Sequence, residues 1–417
     1  MKTACWSVIG VLVLAAAAAA AETNQPPHAV RPAPRVFDPY FLGYETEPSM
    51  DCGGRSIASA YAGICRFAGW VIPTRRVPFL APLYEWPLAL LAETELHEIG
   101  GHGGRAREFH LDPYYGFAST GIHKDPENNA QLILIAGAGT EAASLLAHRL
   151  LQDLYAGDGS DAAKIPLLFM AKTDYTLYCL ITPDPGDSPA DFRDEYTNGN
   201  DIAFYVTSRQ AQRRHADPVQ VWNGDYTIDF SDPLIQNVYN EARAAALWNM
   251  LDPAFLATCV SYWWDHVIKG RTRVHPPVIP LGSDGIGFTA STRAFLGSEE
   301  VTRFLDLYLV TPGPLFRLTG RDLASSIERT YGVGAGVTRL KVAPRVFLSL
   351  SGDVWKVPAN AEGLYAGTGW NVCSEINTLF ADHIGFSLKV GGKSQGYFPG
   401  TPIKDGIYGG GGVQFAF

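Results

Sequence analysis

Two histidines and a glutamate in the first third of the chain have a spacing that suits zinc binding. They lie in the segment HEIGGH, which runs from His97 to His102 and includes Glu98. In the HExxH signature, histidines four residues apart share one helix face and the glutamate activates a zinc-bound water. Here the histidines are five residues apart, which on a regular helix separates their side chains by about 140°. A one-residue bulge would bring them together in a wider turn, and Gly100 and Gly101 tolerate such a distortion.

A third zinc ligand is predicted on a later helix. Glu141 lies in an otherwise apolar segment, where an unpaired carboxylate would be costly to bury. Zinc would compensate this charge, and an ion pair with Arg105 or Arg149 would do so equally well. His148 follows seven residues later on the same helix face and is an alternative ligand or a donor to the transition state. His110 is a weaker option for the third ligand.

The HEIGGH segment resembles the HExxxH variant of the zincin signature, which is known from metallopeptidases of the dipeptidyl peptidase III type. The resemblance implies His97 and His102 as zinc ligands and Glu98 as the general base. The second motif of that family, an acidic helix segment, is absent from the sequence, so the third ligand stays open. Zinc with three protein ligands keeps a position for water and polarises a carbonyl group. We therefore predict a zinc-dependent metallopeptidase, a hydrolase in which Glu98 and His148 are the catalytic groups.

The N-terminal segment predicts export. Residues 1–21 combine one basic residue, Lys2, with an apolar run and seven alanines from Ala15 to Ala21. This order is typical of a cleavable secretory signal peptide. Residues 22–48 contain two proline-rich clusters, which predict an extended leader. The net charge of −9 and the lack of a basic block argue against a nucleic-acid partner. We expect a peptide or protein substrate in the bacterial cell envelope.

Hydrophobic periodicity divides the mature chain into a helical part and a β part. Residues 49–274 show mostly helical patterning and contain the predicted zinc site, whereas residues 275–417 alternate with period two. From Ile384 to Gly391, large apolar residues alternate with glycine, serine and lysine. The region holds about eight candidate strands, the smallest number that closes a barrel. The sequence predicts an α+β fold, with a helical N-terminal domain and an antiparallel β-domain that forms an eight-stranded β-barrel.

The apolar face of these strands has two possible environments. In a soluble sandwich or lipocalin-like barrel it lines the core, and in an outer-membrane barrel it contacts lipid. The final strand, which alternates from Val413 to Phe417, resembles the C-terminal strand of bacterial outer-membrane β-barrel proteins. The resemblance implies a barrel in the outer membrane, with membrane lipid as a partner and the helical domain in the periplasm. A soluble periplasmic protein is the alternative.

A second class of function is compatible with the same sequence. In this interpretation the protein is a non-enzymatic outer-membrane β-barrel protein whose helical domain binds a partner or lipid. The histidines are then structural. Zinc content separates the two classes better than the strand pattern does, because the pattern reports on the environment of the β-domain and not on catalysis.

Overall fold

The computed structural model describes residues 36–37 and 40–41 and, from 50 to 416, all residues except 73, 75–76, 157–159, 283–284, 299, 326–327, 358–366 and 381–383. The predicted signal peptide, residues 1–21, lies outside the described residues, as does most of the predicted leader. Two leader segments are described as short strands, β1 Val36–Phe37 and β2 Tyr40–Phe41. Both pair with the last strand of the chain, so this part of the leader belongs to the sheet.

The region from residue 50 to 268 is mainly helical, as its patterning predicts. Several helices begin at a proline, whose fixed φ suits the first turn. Asp232 and Asp252 precede two of these prolines, and each side chain caps its helix by accepting a backbone hydrogen bond. Two segments are π-helices, the first Leu96–His102 and the second Tyr262–Ile268. A 3-10 turn spans Pro78–Leu80, and the α-helices are α1 Met50–Val71, α2 Pro82–Glu95, α3 Gly103–Glu108, α4 Asn129–Ala136, α5 Ala138–Tyr155, α6 Lys164–Ile181, α7 Pro189–Thr197, α8 Asp201–Arg213, α9 Pro218–Trp222, α10 Pro233–Met250 and α11 Pro253–Ser261.

The last third of the chain forms one antiparallel sheet. The remaining strands are β3 Pro113–Tyr115, β4 Thr120–Ile122, β5 Ser160–Asp161, β6 Arg273–Val274, β7 Ile279–Pro280, β8 Gly287–Leu296, β9 Glu300–Val310, β10 Leu315–Ser325, β11 Arg329–Ala343, β12 Val346–Val357, β13 Gly367–Leu379, β14 Ile384–Lys393 and β15 Gly406–Ala416. From β8 to β15 each strand pairs with the next, which is a meander. The short β7 pairs with β8 at one edge, and β1 and β2 pair with β15 at the other. Outside this sheet, β3 pairs with β4 and β5 with β6.

The α+β fold class is confirmed, but the prediction of a closed eight-stranded barrel is wrong. Within the described residues β8 and β15 do not pair with each other, so the sheet stays open. The physical reason is that helices pack against β8. Lys172 of α6 donates a hydrogen bond to the carbonyl oxygen of Thr292, and the Thr292 hydroxyl donates to the carbonyl oxygen of Trp248 in α10 (2.8 Å). A sheet edge that is covered by helices is protected without closure.

The helices and the sheet share hydrophobic cores. Leu146 and Leu150 of α5 belong to one cluster of buried side chains together with Tyr308 and Leu315 of the sheet. The helix α5 lies along the inner face of the sheet. Its last turn is held by Arg339 of β11, which donates to the carbonyl oxygen of Ala156 (3.0 Å). The helical and β regions of the sequence therefore fold against each other.

A helix that crosses a bilayer must be both long and apolar. In the described part of the chain, no single helix has both the length and the hydropathy of a membrane span. The consecutive helices α4 and α5 meet these criteria only as a pair, and they are bent by 42° relative to each other.

Candidate metal centre

The first π-helix brings His97 and His102 together. The helix α2 continues without a break into this π-helix, whose wider turn holds one more residue than an α-helical turn. The Nε2 atoms of the two histidines lie 3.0 Å apart, and both side chains are buried. The predicted widening of the turn is confirmed.

Asp201 is the third residue beside the two Nε2 atoms, and no sequence pattern predicted its presence there. The acid is the first residue of α8, whose start is capped by Asn200 through hydrogen bonds from the backbone N–H groups of Ile202 and Ala203. Its Oδ2 lies 3.1 Å from Nε2 of His97, and its Oδ1 lies 3.3 Å from Nε2 of His102. The Asn200 cap predicts a helix start, but no local signal connects it with the HEIGGH segment.

The spacing of these atoms suits a zinc ion. Zinc binds imidazole nitrogens and carboxylate oxygens at about 2.0–2.2 Å in a tetrahedral arrangement, which places neighbouring ligand atoms roughly 3.3 Å apart. The three distances between Nε2 of His97, Nε2 of His102 and the Asp201 carboxylate are 3.0, 3.1 and 3.3 Å. Although Oδ2 of Asp201 is buried, it accepts no hydrogen bond of acceptable geometry from a described residue. A metal ion would satisfy this oxygen.

The Nδ1 atoms of both histidine rings also have polar partners. Nδ1 of His97 lies 3.2 Å from Oδ2 of Asp174 in α6, and Nδ1 of His102 donates to the carbonyl oxygen of Ile135 in α4 (2.6 Å). The ring of Tyr178 stacks on His97 with a centroid distance of 5.2 Å. Contacts of this kind fix the orientation of metal-binding histidines and leave Nε2 free to bind the ion.

Acidic side chains surround the two imidazole rings. Four buried carboxylates lie around the two rings, those of Glu93, Glu98, Asp174 and Asp201. Burial by itself would lower the pKa of His97, but the carboxylates of Asp174 and Asp201 raise it well above its usual value. Burial would raise the pKa of Asp201, but the two histidines hold it well below its usual range. Burial and the carboxylate of Asp174 raise the pKa of Glu93 well above its usual value, and a divalent cation would favour the ionised form of this crowded group of acids.

Glu98 lies beside both histidines. One ligand atom each from His97, Glu98 and His102 can be chosen so that all three lie within 4.8 Å of one another. Oε2 of Glu98 accepts a hydrogen bond from the Thr120 hydroxyl at 2.8 Å, so β4 fixes the orientation of the carboxylate. The hairpin of β3 and β4 therefore lies over the π-helix, with the exposed Phe117 near its tip.

Close backbone packing positions the ring of His97. A Cβ atom on Gly139, in the first turn of α5, would lie 2.2 Å from Nε2 of His97. A Cβ atom on Gly101 would lie 2.5 Å from the carbonyl oxygen of Ala138. Only glycine at these two positions lets α5 approach the first π-helix so closely.

The structure does not bring Glu141, His148 or His110 to this site. Oε1 of Glu141 accepts hydrogen bonds from Nη2 of Arg105 and from the backbone N–H of Gly400, both at 2.7 Å. This is the ion pair that the sequence left as the alternative to zinc binding. His148 lies on the inner face of the sheet, where Arg317 Nη1 is 2.9 Å from its Nε2. His110 is exposed after α3.

Comparisons with protein-family models, with curated proteins and with solved structures find no match. The residues of the site and their geometry therefore carry the functional assignment.

Proposed function

We propose that the protein is a zinc-dependent hydrolase that cleaves peptide bonds, with His97, His102 and Asp201 as the zinc ligands. The observation that carries this proposal is the convergence of two imidazole nitrogens and the Asp201 carboxylate beside a second carboxylate, that of Glu98. Catalytic zinc sites have three protein ligands and an open position, whereas structural sites are closed by four. Zinc bound in this way lowers the pKa of its water and polarises the carbonyl of a substrate.

Glu98 is the general base in this proposal. Its Oε2 is held by the Thr120 hydroxyl, which leaves Oε1 to take a proton from the attacking water. The water oxygen adds to the carbonyl carbon, the bond from carbon to nitrogen breaks, and Glu98 passes the proton to the leaving amine. Asp201 replaces Glu141 as the third ligand, and His148 has no role in the reaction.

The first test is the metal content of the purified full-length protein. We expect one zinc per molecule in the wild type and its loss in His97→Ala and Asp201→Ala. Two histidines and one carboxylate also form the ligand set of many Fe(II) oxygenases. Stoichiometric iron instead of zinc, or no metal at all, would contradict the proposal.

The second test separates the roles of the acids. Glu98→Gln should keep its zinc and lose hydrolysis of a peptide library, because the amide cannot accept the proton. Glu95→Gln is the matched control, since this residue lies in α2, three positions earlier, outside the cluster. Zinc loss in Glu98→Gln would make Glu98 a fourth ligand. That result, or zinc without hydrolysis in the wild type, would favour a structural metal site and a non-enzymatic protein.

A further inference from the structure

The two faces of the long sheet have the opposite polarity to the two faces of a sheet in a water-soluble protein. The face that packs against the helices carries buried charged side chains, among them Arg293, Asp306, Asp353 and Glu375. The face that points away from the helices carries exposed leucine, valine and aromatic residues. In a soluble antiparallel sheet the apolar face packs on the core and the polar face meets water.

The exposed apolar residues form continuous rows across neighbouring strands. Val333, Val354 and Trp370 are aligned on β11, β12 and β13. Leu307 and Leu318 are aligned in the same way on β9 and β10. These five side chains are 42–67% exposed, so nothing in the described structure covers the rows. An exposed apolar surface that crosses several strands marks a contact with another apolar phase or molecule.

Charge on this outward face is restricted to its ends. Arg303, Asp322, Arg329 and Lys356 lie at one end of the strands, where Asp322 is 3.4 Å from Arg303 and 3.5 Å from Arg329. Between this end and the opposite turns, the outward positions of the described strands carry no charged residue. A bilayer has the same distribution, with an uncharged centre between two charged surfaces.

The length of the strands also suits a bilayer. A tilted strand crosses the hydrocarbon layer in about 9–11 residues, and the strands β8 to β15 have 10 to 15 residues each. Backbone groups at an open edge cannot remain unpaired in lipid. Here β1 and β2 pair with one edge, and β7 and the helices α6 and α10 cover the other.

Helices beside the sheet are apolar on their outer surface too. Phe67 and Trp70 of α1, Val260 of α11, and Trp263 and Ile268 of the second π-helix are 50–80% exposed. Both α1 and the second π-helix pack against α2, since the hydroxyl of Tyr262 donates to the Glu85 side chain at 2.8 Å and that of Tyr61 donates to the Glu85 carbonyl oxygen at 3.1 Å. The apolar surface therefore continues from the sheet onto α1, which contacts β1 and β2, and onto α11, which contacts β8.

We propose that the outward face of β9–β15 and the exposed surfaces of α1, α11 and the second π-helix lie in the hydrocarbon of a lipid bilayer. The surface in contact with lipid consists of both strands and helices, because helices occupy the place of the strands that would close a barrel. This proposal is independent of the metal centre and combines the membrane location expected from the sequence with an open sheet.

Spin labels on neighbouring residues test the proposal. In a cysteine-free background of the full chain, Leu318→Cys places a label on the outward face and Thr319→Cys places one on the inward face. With the protein in phosphatidylcholine vesicles, the label at 318 should collide with oxygen more often than with a water-soluble nickel chelate. The label at 319, whose parent side chain is 1% exposed, should be protected from both. A label at 318 that prefers the nickel chelate would contradict the proposal, as would one shielded from both reagents by a second copy or a protein partner.

A charge substitution provides a second measurement. Leu318→Arg should shift the unfolding equilibrium in vesicles by about 30-fold to several hundred-fold, because arginine near the centre of a bilayer is costly. Phe117→Arg is the control, since this exposed aromatic residue lies in the hairpin of β3 and β4, which is not part of the long sheet. An equal effect of both substitutions, or a wild-type protein that does not float with vesicles in a density gradient, would overturn the assignment.

Discussion

The imidazole of His97 has a carboxylate beside each of its ring nitrogens. Asp174 lies at Nδ1 and Asp201 at Nε2. A carboxylate on the nitrogen that does not bind metal fixes the ring and raises the basicity of the ligand. In the proposed site Asp201 binds the ion directly, and Asp174 acts on it only through His97. The two acids should therefore differ in what their removal does.

Asp174→Asn should weaken zinc binding by about 10–100-fold, because the amide no longer holds His97 with a charged hydrogen bond. Competition with a chelator of known affinity measures the change. Asp191→Asn, at an exposed position of α7, is the control and should leave the affinity unchanged. An Asp174→Asn protein with the zinc affinity of the wild type would show that this contact does not support the ligand.

Glu141 tests whether a buried acid serves the metal or the fold. Glu141→Ala leaves the fully buried Arg105 with Glu108 as its remaining acidic partner. We expect a loss of about 3 kcal/mol in the free energy of unfolding, the lower end of the range for breaking a buried pair. The zinc content should not change.

The control for Glu141→Ala is Asp153→Ala, which removes an acid at the other end of α5. Its partner Arg149 lies 3.8 Å away, and both side chains are partly exposed. The cost should be below about 1 kcal/mol. Loss of zinc in Glu141→Ala, with the fold retained, would restore Glu141 as a ligand.

At the scale of elements, the metal centre depends on how closely α5 packs against the first π-helix. The wider turn of the first π-helix places both histidines on one side of it. The contact between Gly101 and α5 holds this side of the π-helix against the first turn of α5. The glycines in the HEIGGH segment thus have two roles. They tolerate the wide turn, and they leave room for a neighbouring backbone.

Gly139→Ala should disrupt the site without changing any ligand. The new Cβ would lie 2.2 Å from Nε2 of His97, whose ring is held on its other side by Asp174. We expect zinc affinity to fall at least tenfold and stability to fall by about 1–3 kcal/mol. Isothermal titration and thermal unfolding report the two effects.

Gly63→Ala is the matched control for Gly139→Ala, since a Cβ there meets no atom within 4 Å. The substitution at this helical position should raise the free energy of unfolding by about 0.5–1 kcal/mol and leave the zinc affinity of the protein unchanged. If Gly139→Ala also bound zinc normally, the close approach of α5 would not be required.

At the scale of the whole molecule, helices and sheet are connected by buried charges. Nζ of Lys172 lies 2.7 Å from Oδ2 of Asp252, and Lys172 also donates to the carbonyl oxygen of Thr292 in β8. These contacts connect α6, the start of α11 and the sheet edge. The metal centre is near the charged end of the sheet. Gly139, which lies against His97, and Glu141 are in the first turn of α5, and Glu141 accepts a hydrogen bond from Gly400 in the loop between β14 and β15. Under both proposals, the site therefore lies close to the bilayer surface.

Lys172→Met should destabilise the protein by about 3–5 kcal/mol, because it leaves Asp252 buried without a cation. Equilibrium unfolding in detergent or vesicles measures the loss. The double variant with Asp252→Leu should recover part of it, because no unpaired charge then remains. A cost of the single change below about 1 kcal/mol would show that this pair does not hold the helices against β8.

The sequence alone determined the features that depend on neighbouring residues. The pair of histidines, the glutamate between them and the two glycines predicted a widened helical turn, and the first π-helix confirms it. Alternation with period two predicted the antiparallel strands, and the change of period predicted the α+β class. Such signals are local, because side-chain direction follows from the backbone geometry of a few residues.

Only the tertiary structure decided which distant residues meet. Asp201 follows the histidines by about a hundred residues, and its proximity to them depends on how α8 packs. Glu141 had two compatible partners in the sequence, and the packing of α5 against α3 and the loop between β14 and β15 placed it with Arg105 and Gly400. The strand count allowed a barrel, but helices cover β8, so the sheet remains open. Periodicity records which face of an element is apolar and does not record which element covers it.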